Sequence, residues 1–337
     1  MKIGKVPPEL LKKSVYPFLG IKRKEVLVHS GFGEDCSVID FGEYVAVASS
    51  DPITGADKNS GFLSVFVCCN DIAACGAEPL GIFVTLLLPP DSDEDTLKAL
   101  MGSIHSAAGR IGIEVLGGHS EITSAVLKPV ISSTAIGIAR KGEFVTSSGA
   151  KPGDDVIVTK ALGLEGTAVL ASDFEDILKT KIPLEHLKKA QGFIEKISVI
   201  QDGLVAAAAG VSAMHDITEG GLLGACYEVA EASGVGIEIY GDRLPILPET
   251  RAICGFFGID PLGLISSGSM LICAPDGQKV INALENKGIR STMIGKITAG
   301  NHKIMISGGK GLPLIPPERD ELYKAIEIVR KMQKNLS

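Results

Sequence analysis

The segment Cys68–Pro79, CCNDIAACGAEP, constrains the fold of this chain more than any other. It places one carboxylate, Asp71, among small and apolar residues, and a Gly and a Pro close it off. Such a stretch predicts a buried element that carries a charged group to a loop, which is where catalytic carboxylates are usually mounted. The alternative is a helix cap or a residue on a helix surface.

Four further acids lie in similar settings. Asp35 in GFGEDCSVID directly precedes an apolar run, and Asp51 ends the apolar run of VAVASSDPITG. Glu121 follows a double glycine in GGHSEIT, and Asp216 precedes another in HDITEGGL. Each alone is compatible with a cap or a solvated turn. Together they favour metal and phosphate binding, because Mg²⁺ takes hard oxygen ligands and bridges carboxylates to phosphates, while neighbouring glycines let backbone N–H groups approach phosphate oxygens.

Other candidate groups are basic or glycine-rich. Lys58 is a candidate phosphate contact, and the alternative is a solvated residue at the start of a helix. His119 and His215 are candidate general bases or ligands, and the alternative for each is a residue of a turn. The glycines of EGGLLGACYEV open a predicted helix, whose N-terminus favours anions. The P-loop, dinucleotide-binding, zinc-protease and serine-hydrolase motifs are all absent from the sequence.

Composition narrows the class of protein. A chain of 337 residues with 45% hydrophobic residues predicts about two domains with ample core. A net charge of −7 without a basic block argues against nucleic-acid binding. The sequence contains no apolar run of about 20 residues, so we expect no membrane span. The seven cysteines lack a CxxC pair and lie mostly in apolar segments, which predicts reduced, buried thiols in a cytoplasmic protein.

The pattern of apolar runs predicts the element order. The first half reads β-β-α-β-α-β, with a glycine turn at Gly117 and Gly118, and this predicts a mixed sheet with helices on one face, an α/β (α+β) class. The polar stretch 141–155 marks a boundary between domains at 1–145 and 151–337. The second half also alternates strands and helices and ends in a charged amphipathic helix.

Four motifs in order, GEDCSVID, CCNDIAACGAEPLG, GGHSEIT and HDITEGGLLGACYEVAEASGVGIEI, resemble those of the ATP-dependent aminoimidazole ribonucleotide synthetase (PurM) superfamily. The resemblance spans residues 25–310 and is strongest to the HypE-like branch, whose DPTRGG is similar to Asp216–Gly221. It implies a two-domain PurM-like fold. The N-terminal mixed-sheet domain would bind ATP and form the barrel-like core of a homodimer, beside a C-terminal α/β domain.

The resemblance also implies ATP and Mg²⁺ as cofactors and assigns roles by position. The implied metal ligands are Asp35, Asp51, Asp71 and Glu121. The implied ATP-binding residues are Asp35, Asp51, Lys58, Asp71, Gly117, Gly118, Thr218, Gly220 and Gly221. Together with His119, which neighbours the acidic turn of GGHSEIT, Glu121 and Asp216 are the candidate catalytic residues.

The implied chemistry is attack of an amide-, thioamide- or phosphate-type oxygen on the γ-phosphate of ATP. The implied role is hydrogenase maturation, with a small-molecule or protein-borne acceptor and a maturation protein as partner. Three departures from HypE stand out. The chain ends KMQKNLS where HypE ends in its self-substrate cysteine, GDTK becomes GGHSEIT without the lysine, and NEGK becomes Ser266–Ser269 without the glutamate.

These departures leave two other classes open. One is a small-molecule kinase or purine-pathway ligase, similar to thiamine-monophosphate kinase or to the formylglycinamidine and aminoimidazole ribonucleotide synthetases. The other is a non-catalytic, nucleotide-binding regulatory partner. Turnover of a superfamily substrate would favour the first, and ATP binding without turnover would favour the second.

Overall fold

The computed structural model describes residues 3–334, and its first half is built around one six-stranded sheet. The strands are β1 (Val26–Val28), β2 (Ser37–Asp40), β3 (Tyr44–Ile53), β4 (Glu78–Leu88), β5 (Glu114–Ile122) and β6 (Val130–Arg140). Their order across the sheet is β1-β2-β3-β6-β4-β5. Only the β4–β5 pair is parallel, so the sheet is mixed, as predicted.

Three helices belong to this half: α1 (Pro8–Ser14), α2 (Ser60–Ala74) and α3 (Glu94–Ile111). Helix α2 packs on β3 and β6, and α3 packs on α2. The ends of α3 follow local chemistry, because the side chain of Asp93 accepts a hydrogen bond from the backbone N–H of Thr96 and Gly112 ends the helix at φ +72°. Helices α2 and α3 therefore lie together on one face of the sheet, which confirms that prediction.

The second half is built around a seven-stranded sheet. Its strands are β7 (Asp155–Thr159), β8 (Ala213–Asp216), β9 (Gly236–Tyr240), β10 (Met270–Ala274), β11 (Ser291–Thr298), β12 (Lys303–Ser307) and β13 (Lys310–Pro313). Their order is β13-β12-β9-β11-β7-β10-β8, with β12 and β9 parallel and the other pairs antiparallel. Strand β13 forms one edge of this sheet and β8 forms the other.

The helices of this half are α4 (Leu164–Asp173), α5 (Glu175–Leu178), α6 (Leu184–Gln191), α7 (Ile200–Ala209), α8 (Gly221–Ser233), α9 (Pro248–Phe257), α10 (Gly277–Glu285) and α11 (Glu321–Lys334). Helix α8 covers one face of the second sheet, and α7 and α10 cover the other. Side chains alternate along β7, so Val156 and Val158 pack with α8 while Ile157 packs with α7 and α10. Such burial on both faces explains why these strands are almost wholly apolar.

One continuous core joins the two halves. Leu170 of α4, Ile253 of α9 and Leu322 of α11 lie in the same buried cluster as Ile72 of α2 and Ile82 of β4. The chain passes from the first sheet at Arg140 to the second at Asp155, and the domain limits 1–145 and 151–337 stay a prediction. Helix α2 is thus held between the first sheet and elements of the second half.

Strand β5 corrects one sequence expectation. The predicted turn at Gly117 and Gly118 is instead part of the strand, which continues to Ile122. Both glycines have positive φ, +150° and +145°, and a Cβ on Gly118 would lie 1.8 Å from the carbonyl oxygen of Val84. Glycine is therefore required for close approach to β4 rather than for a turn.

Two further sequence predictions concern the whole chain. Across residues 3–334, none of the helices combines the length and the apolar character that crossing a membrane requires. All seven cysteines are free and buried, which confirms the predicted buried thiols.

Candidate active site

Two adjoining cavities lie between the halves of the molecule. The central cavity, about 620 Å³, is lined by Asp51 and Asp71 from the first half and by Glu165 and Thr218 from the second. The N-terminal cavity, about 700 Å³, is lined by the segment 3–16 and by the beginning of α8. Both volumes lie within the range of small-molecule sites. Side chains common to both cavities include those of Lys5, Glu34, Asp35, Glu219 and Asp320.

Asp51 and Asp71 meet through a serine. Ser49 and Asp51 are two residues apart on β3, so their side chains lie on the same face of the strand. The Ser49 hydroxyl donates to Asp71 Oδ2 at 2.5 Å and lies 3.3 Å from Asp51 Oδ2. Asp71 is 5% exposed, because α2 packs against this face of the sheet. The packing of α2 on β3 therefore joins two of the predicted acids.

Asp35 and Asp216 approach the same place from a loop and from the end of β8. Together with His215, they present potential ligand atoms that lie within 4.8 Å of one another. Asp216 is 1% exposed, and neither of its carboxylate oxygens accepts a hydrogen bond. A buried carboxylate without partners is destabilising unless a further group satisfies it.

His215 lies between two carboxylates rather than offering a free nitrogen. Its Nδ1 is 2.5 Å from Asp35 Oδ2, and its Nε2 is 2.9 Å from Glu228 Oε2. Burial opposes the charged ring, but Asp35 and Glu228 outweigh it and raise the pKa of His215 well above its ordinary value. With both nitrogens occupied, His215 acts as a buried cation that positions Asp35, not as a metal ligand.

The amino-terminal segment supplies a second cation. Lys5 Nζ lies 3.5 Å from Glu228 Oε1, and the Lys5 backbone N–H donates to Glu219 Oε1 at 2.8 Å. Burial works against ionisation of Glu228, but Lys5 and His215 lower its pKa to about 2. These contacts hold the chain near Lys5 over the boundary between the two cavities.

The negative charge of Asp35, Asp51, Asp71 and Asp216 exceeds the positive charge of the neighbouring His215 and Lys5. Burial, and then the carboxylates of Asp216, Asp51 and Asp35, raise the pKa of Asp71 well above its ordinary range. Burial, and then the nearby Asp35, raise the pKa of Asp216 to about 7. The carboxylate oxygens of four aspartates, including both orphaned oxygens of Asp216, fit a divalent cation such as Mg²⁺. Asp35, Asp51, Asp71 and Asp216 are called the aspartate cluster below.

The glycine-rich turn after β8 adjoins the aspartate cluster. Thr218 lines the central cavity and Gly220 the N-terminal one. The Gly220 backbone N–H donates to Asp320 Oδ2 at 2.7 Å, so that donor already has an anionic partner. A Cβ on Gly221 would lie 2.4 Å from the carbonyl oxygen of Leu262, so this glycine permits close packing at the start of α8.

Five predicted site residues lie apart from the cluster within one chain. The Lys58 ammonium donates to the Ser172 carbonyl at 2.7 Å, and Lys58 lines neither cavity. The other four, Gly117, Gly118, His119 and Glu121, are exposed on edge strand β5. His119 Nε2 and Glu121 Oε2 lie 3.4 Å apart. Strand β5 is three inter-strand spacings from β3, about 14 Å, which separates Glu121 from Asp51.

Sequence reasoning overlooked several residues of the cavities. Ser49 could have been found from the sequence, since it lies two residues before Asp51 and therefore on the same face of the strand. Glu165 could also have been found, as an acid between apolar and glycine residues in GLEG. Its carboxyl lies against Ser267, which replaces the glutamate of the HypE motif. Lys5 gave no signal, because Glu219 lies 214 positions later along the chain.

Two family signatures match the chain. The N-terminal domain of AIR synthase related proteins matches residues 33–139, and their C-terminal domain matches residues 151–308. The chain belongs to the AIR synthase related family. The predicted superfamily is thereby confirmed.

Three relatives show the breadth of the AIR synthase related family. A protein of Methanocaldococcus jannaschii assigned to hydrogenase expression and formation is 29% identical over 321 residues, covering 90% of this chain and 91% of that protein. Carbamoyl dehydratase HypE of Rhizobium leguminosarum bv. viciae is 28% identical, covering 74% and 71%. Thiamine-monophosphate kinase of Methanospirillum hungatei is 33% identical, covering 64% and 71%.

Solved structures share the fold. HypE in its complex with HypF matches with a TM-score of 0.75 at 21% identity, covering 91% of this chain and 99% of HypE. HypE in complex with ATP matches with a TM-score of 0.70 at 19% identity, covering 94% of each chain. ThiL complexed with AMPPCP and TMP matches with a TM-score of 0.73 at 22% identity, covering 95% and 99%. The two-domain PurM-like fold is therefore confirmed.

Proposed function

We propose that this protein is an ATP- and Mg²⁺-dependent enzyme of the HypE-like branch that activates an amide-, thioamide- or phosphate-type oxygen by phosphoryl transfer. The observation that carries the proposal is the aspartate cluster, with the orphaned Asp216 buried beside a cavity of about 620 Å³. The relatives support it, since they include carbamoyl dehydratase HypE and thiamine-monophosphate kinase, and HypE has been seen in complex with ATP.

In this proposal Asp35, Asp51, Asp71 and Asp216 hold the metal ion, which would neutralise phosphate charge when bound. His215 keeps the Asp35 carboxylate in place through its Nδ1 contact. The turn at 218–221 lines the nucleotide site through Thr218 and Gly220, while Gly221, which lines neither cavity, permits the close packing of the turn on Leu262. The protein's contribution is then positioning and charge neutralisation, as in phosphoryl transfer generally.

We propose that strand β5 contributes to an interface between two copies of the chain and not to the cleft of its own chain. The face of the first sheet opposite α2 exposes Leu80, Phe83 and Leu116, which are 49%, 42% and 43% exposed. We propose that this face forms a homodimer, so that Gly117, Gly118, His119 and Glu121 on the edge strand meet a second copy rather than their own cleft. Lys58, bound to Ser172, would need to change partner to reach a phosphate.

Hydrogenase maturation is the role that we propose, with a maturation protein as partner. Support comes from the M. jannaschii relative and from the complex of HypE with HypF. The buried, free cysteines fit the reducing cytoplasm that we propose as its location. The acceptor would be a small molecule or a group carried by another protein.

A second candidate is a small-molecule kinase similar to thiamine-monophosphate kinase. It is favoured by the 33% identity to the M. hungatei enzyme. Formation of a phosphorylated product and ADP from thiamine monophosphate and ATP would select this candidate over the maturation role.

The first prediction tests nucleotide binding. We expect Asp71→Asn to weaken binding of Mg²⁺ and AMPPNP by about 1–3 kcal/mol, because it removes a charged contact from the aspartate cluster. Isothermal titration calorimetry at fixed Mg²⁺ measures the change. Asp176→Asn is the matched control, since Asp176 is 91% exposed on α5. Equal affinity in the wild type and Asp71→Asn would contradict the proposed role of the cluster.

A further inference from the structure

Glu165 is a buried acid on the wall of the central cavity that the aspartate cluster does not use. It lies in the first turn of α4, which Gly163 opens at φ +72°. Its side chain is 5% exposed and lines the same cavity as Asp51 and Asp71. The strand–turn–helix connection from β7 therefore projects a carboxyl group toward the place proposed for the triphosphate.

One oxygen of this carboxyl group is not satisfied by the protein. The backbone and side chain of Ser267 lie against the carboxyl, but Glu165 Oε2 accepts no hydrogen bond within ordinary distance, and the Ser267 hydroxyl is likewise unpartnered. In the described part of the chain, no lysine, arginine or histidine forms an ion pair with Glu165. A structural carboxylate at such a site would be paired, so the free oxygen points to a ligand.

We propose that Glu165 is the proton acceptor for the phosphoryl-accepting substrate, and that this substrate is a neutral group bearing an N–H or O–H, of amide, carbamoyl or hydroxyl type. The inference rests on the proposed function and narrows its acceptor class. A phosphate monoester already carries an anionic oxygen and has no proton to lose, and the carboxylate of Glu165 would repel it. The cavity wall therefore selects against a phosphate-type acceptor.

In the proposed step with an amide, the carbonyl oxygen forms a bond to the γ-phosphorus. The bond from that phosphorus to the β,γ-bridging oxygen breaks, and its electron pair leaves on ADP. The N–H electron pair becomes the second bond of C=N as the proton passes to Glu165. For a hydroxyl, the O–H proton passes to Glu165 as its oxygen attacks. Glu165 then releases the proton to solvent.

The surroundings suit a base that works near neutral pH. Burial is the main cause that raises the pKa of Glu165 to about 7, while Ser267 lowers it and the carboxylate of Glu219 adds to the rise. Asp320 and Tyr323 also line this cavity. A base whose pKa lies close to the operating pH is efficient in proton transfer. Turnover should therefore rise as pH increases through about 7 and then level off.

The experiment compares the wild type with Glu165→Gln, which keeps the shape and removes the basic oxygen. ADP release from Mg²⁺ and ATP is measured from pH 5.5 to 9 with water as the acceptor, then with added acetamide, then with thiamine monophosphate. AMPPNP binding is measured by calorimetry in parallel. Glu165→Asp is the conservative variant, and Glu185→Gln, on an exposed face of α6, is the matched control.

We expect Glu165→Gln to bind AMPPNP within about twofold of the wild type but to release ADP about 100-fold more slowly, without the rise near neutral pH. Glu165→Asp should keep part of the rate and the pH-dependent rise. Equal ADP release by the wild type and Glu165→Gln at every pH, including no release by either, overturns the inference, as does thiamine monophosphate turnover that survives Glu165→Gln. Failure of the wild type to bind AMPPNP would instead overturn the proposed function itself.

Discussion

At the scale of single residues, the site is a balance of buried charge. Four aspartates converge, and the cations that reach them are His215 and Lys5, each held by Glu228. His215 is the more deeply placed, at 1% exposure. Because a buried ion pair compensates its own desolvation only while both partners are present, His215 organises the carboxylates around it.

A residue-scale prediction follows for His215→Asn. Removing the imidazole leaves the partly buried Asp35 without its cation and Glu228 with Lys5 alone, so we expect the free energy of unfolding to fall by about 3 kcal/mol. Urea denaturation followed by circular dichroism measures the fall, and added Mg²⁺ should recover part of it. His105→Asn on the exposed face of α3 is the control. Unchanged stability would show that His215 does not organise these carboxylates.

At the scale of elements, one sheet face remains uncovered. Helices α2 and α3 lie together on one face of the first sheet, but nothing in the described chain covers Leu80 and Phe83 on the other. An exposed apolar patch on a sheet usually marks an interface. Gly118 of β5 belongs to the same sheet, and its lack of a Cβ lets the edge strand approach β4 closely.

The element-scale prediction concerns the oligomeric state. We expect the wild type to elute in size-exclusion chromatography with light scattering at twice the 35.2 kDa mass of the chain. Phe83→Glu should shift it to the monomer, because the charge would be buried in the interface. Leu184→Glu, at a 54% exposed position on α6, is the matched control. A monomeric wild type would contradict the proposed homodimer.

At the scale of the whole molecule, buried acids couple folding to pH. Burial raises the pKa values of Glu165 and Asp320 to about 7. The unfolded chain releases these protons near pH 4, so the folded protein binds more protons between about pH 4 and pH 7. Stability must therefore fall as pH rises across that interval. The raised pKa of His215 acts in the same direction, and the lowered pKa of Glu228 matters only in stronger acid.

We predict that the free energy of unfolding without metal or nucleotide falls by on the order of 5 kcal/mol from about pH 5 to about pH 8, since Glu165 and Asp320 each account for a loss of about 1.4 kcal/mol per pH unit below the folded pKa. Urea titrations at four pH values measure it. Glu165→Gln should flatten the dependence, because the variant has no carboxyl group to titrate at that position. A stability that rises with pH over the same range would contradict this account.

The sequence by itself determined the element types and the list of acids. Apolar periodicity and glycine punctuation are local, so nearly every predicted strand and helix is present, and the resemblance gave the superfamily. Asp71 was recognisable because a lone carboxylate in an apolar segment is unusual wherever it folds. The burial of the cysteines followed from the same local reasoning.

Only the tertiary structure decided which acids meet. Strand order placed β6 and β4 between Asp51 and the edge strand that bears Glu121, and no local pattern encodes that order. Packing of α2 on β3 joined Asp71 to Asp51, and the loop before β2 brought Asp35 to His215, 180 positions away. Long-range contacts depend on how faces are buried together, so the unpartnered oxygen of Glu165 appears only once the chain is folded.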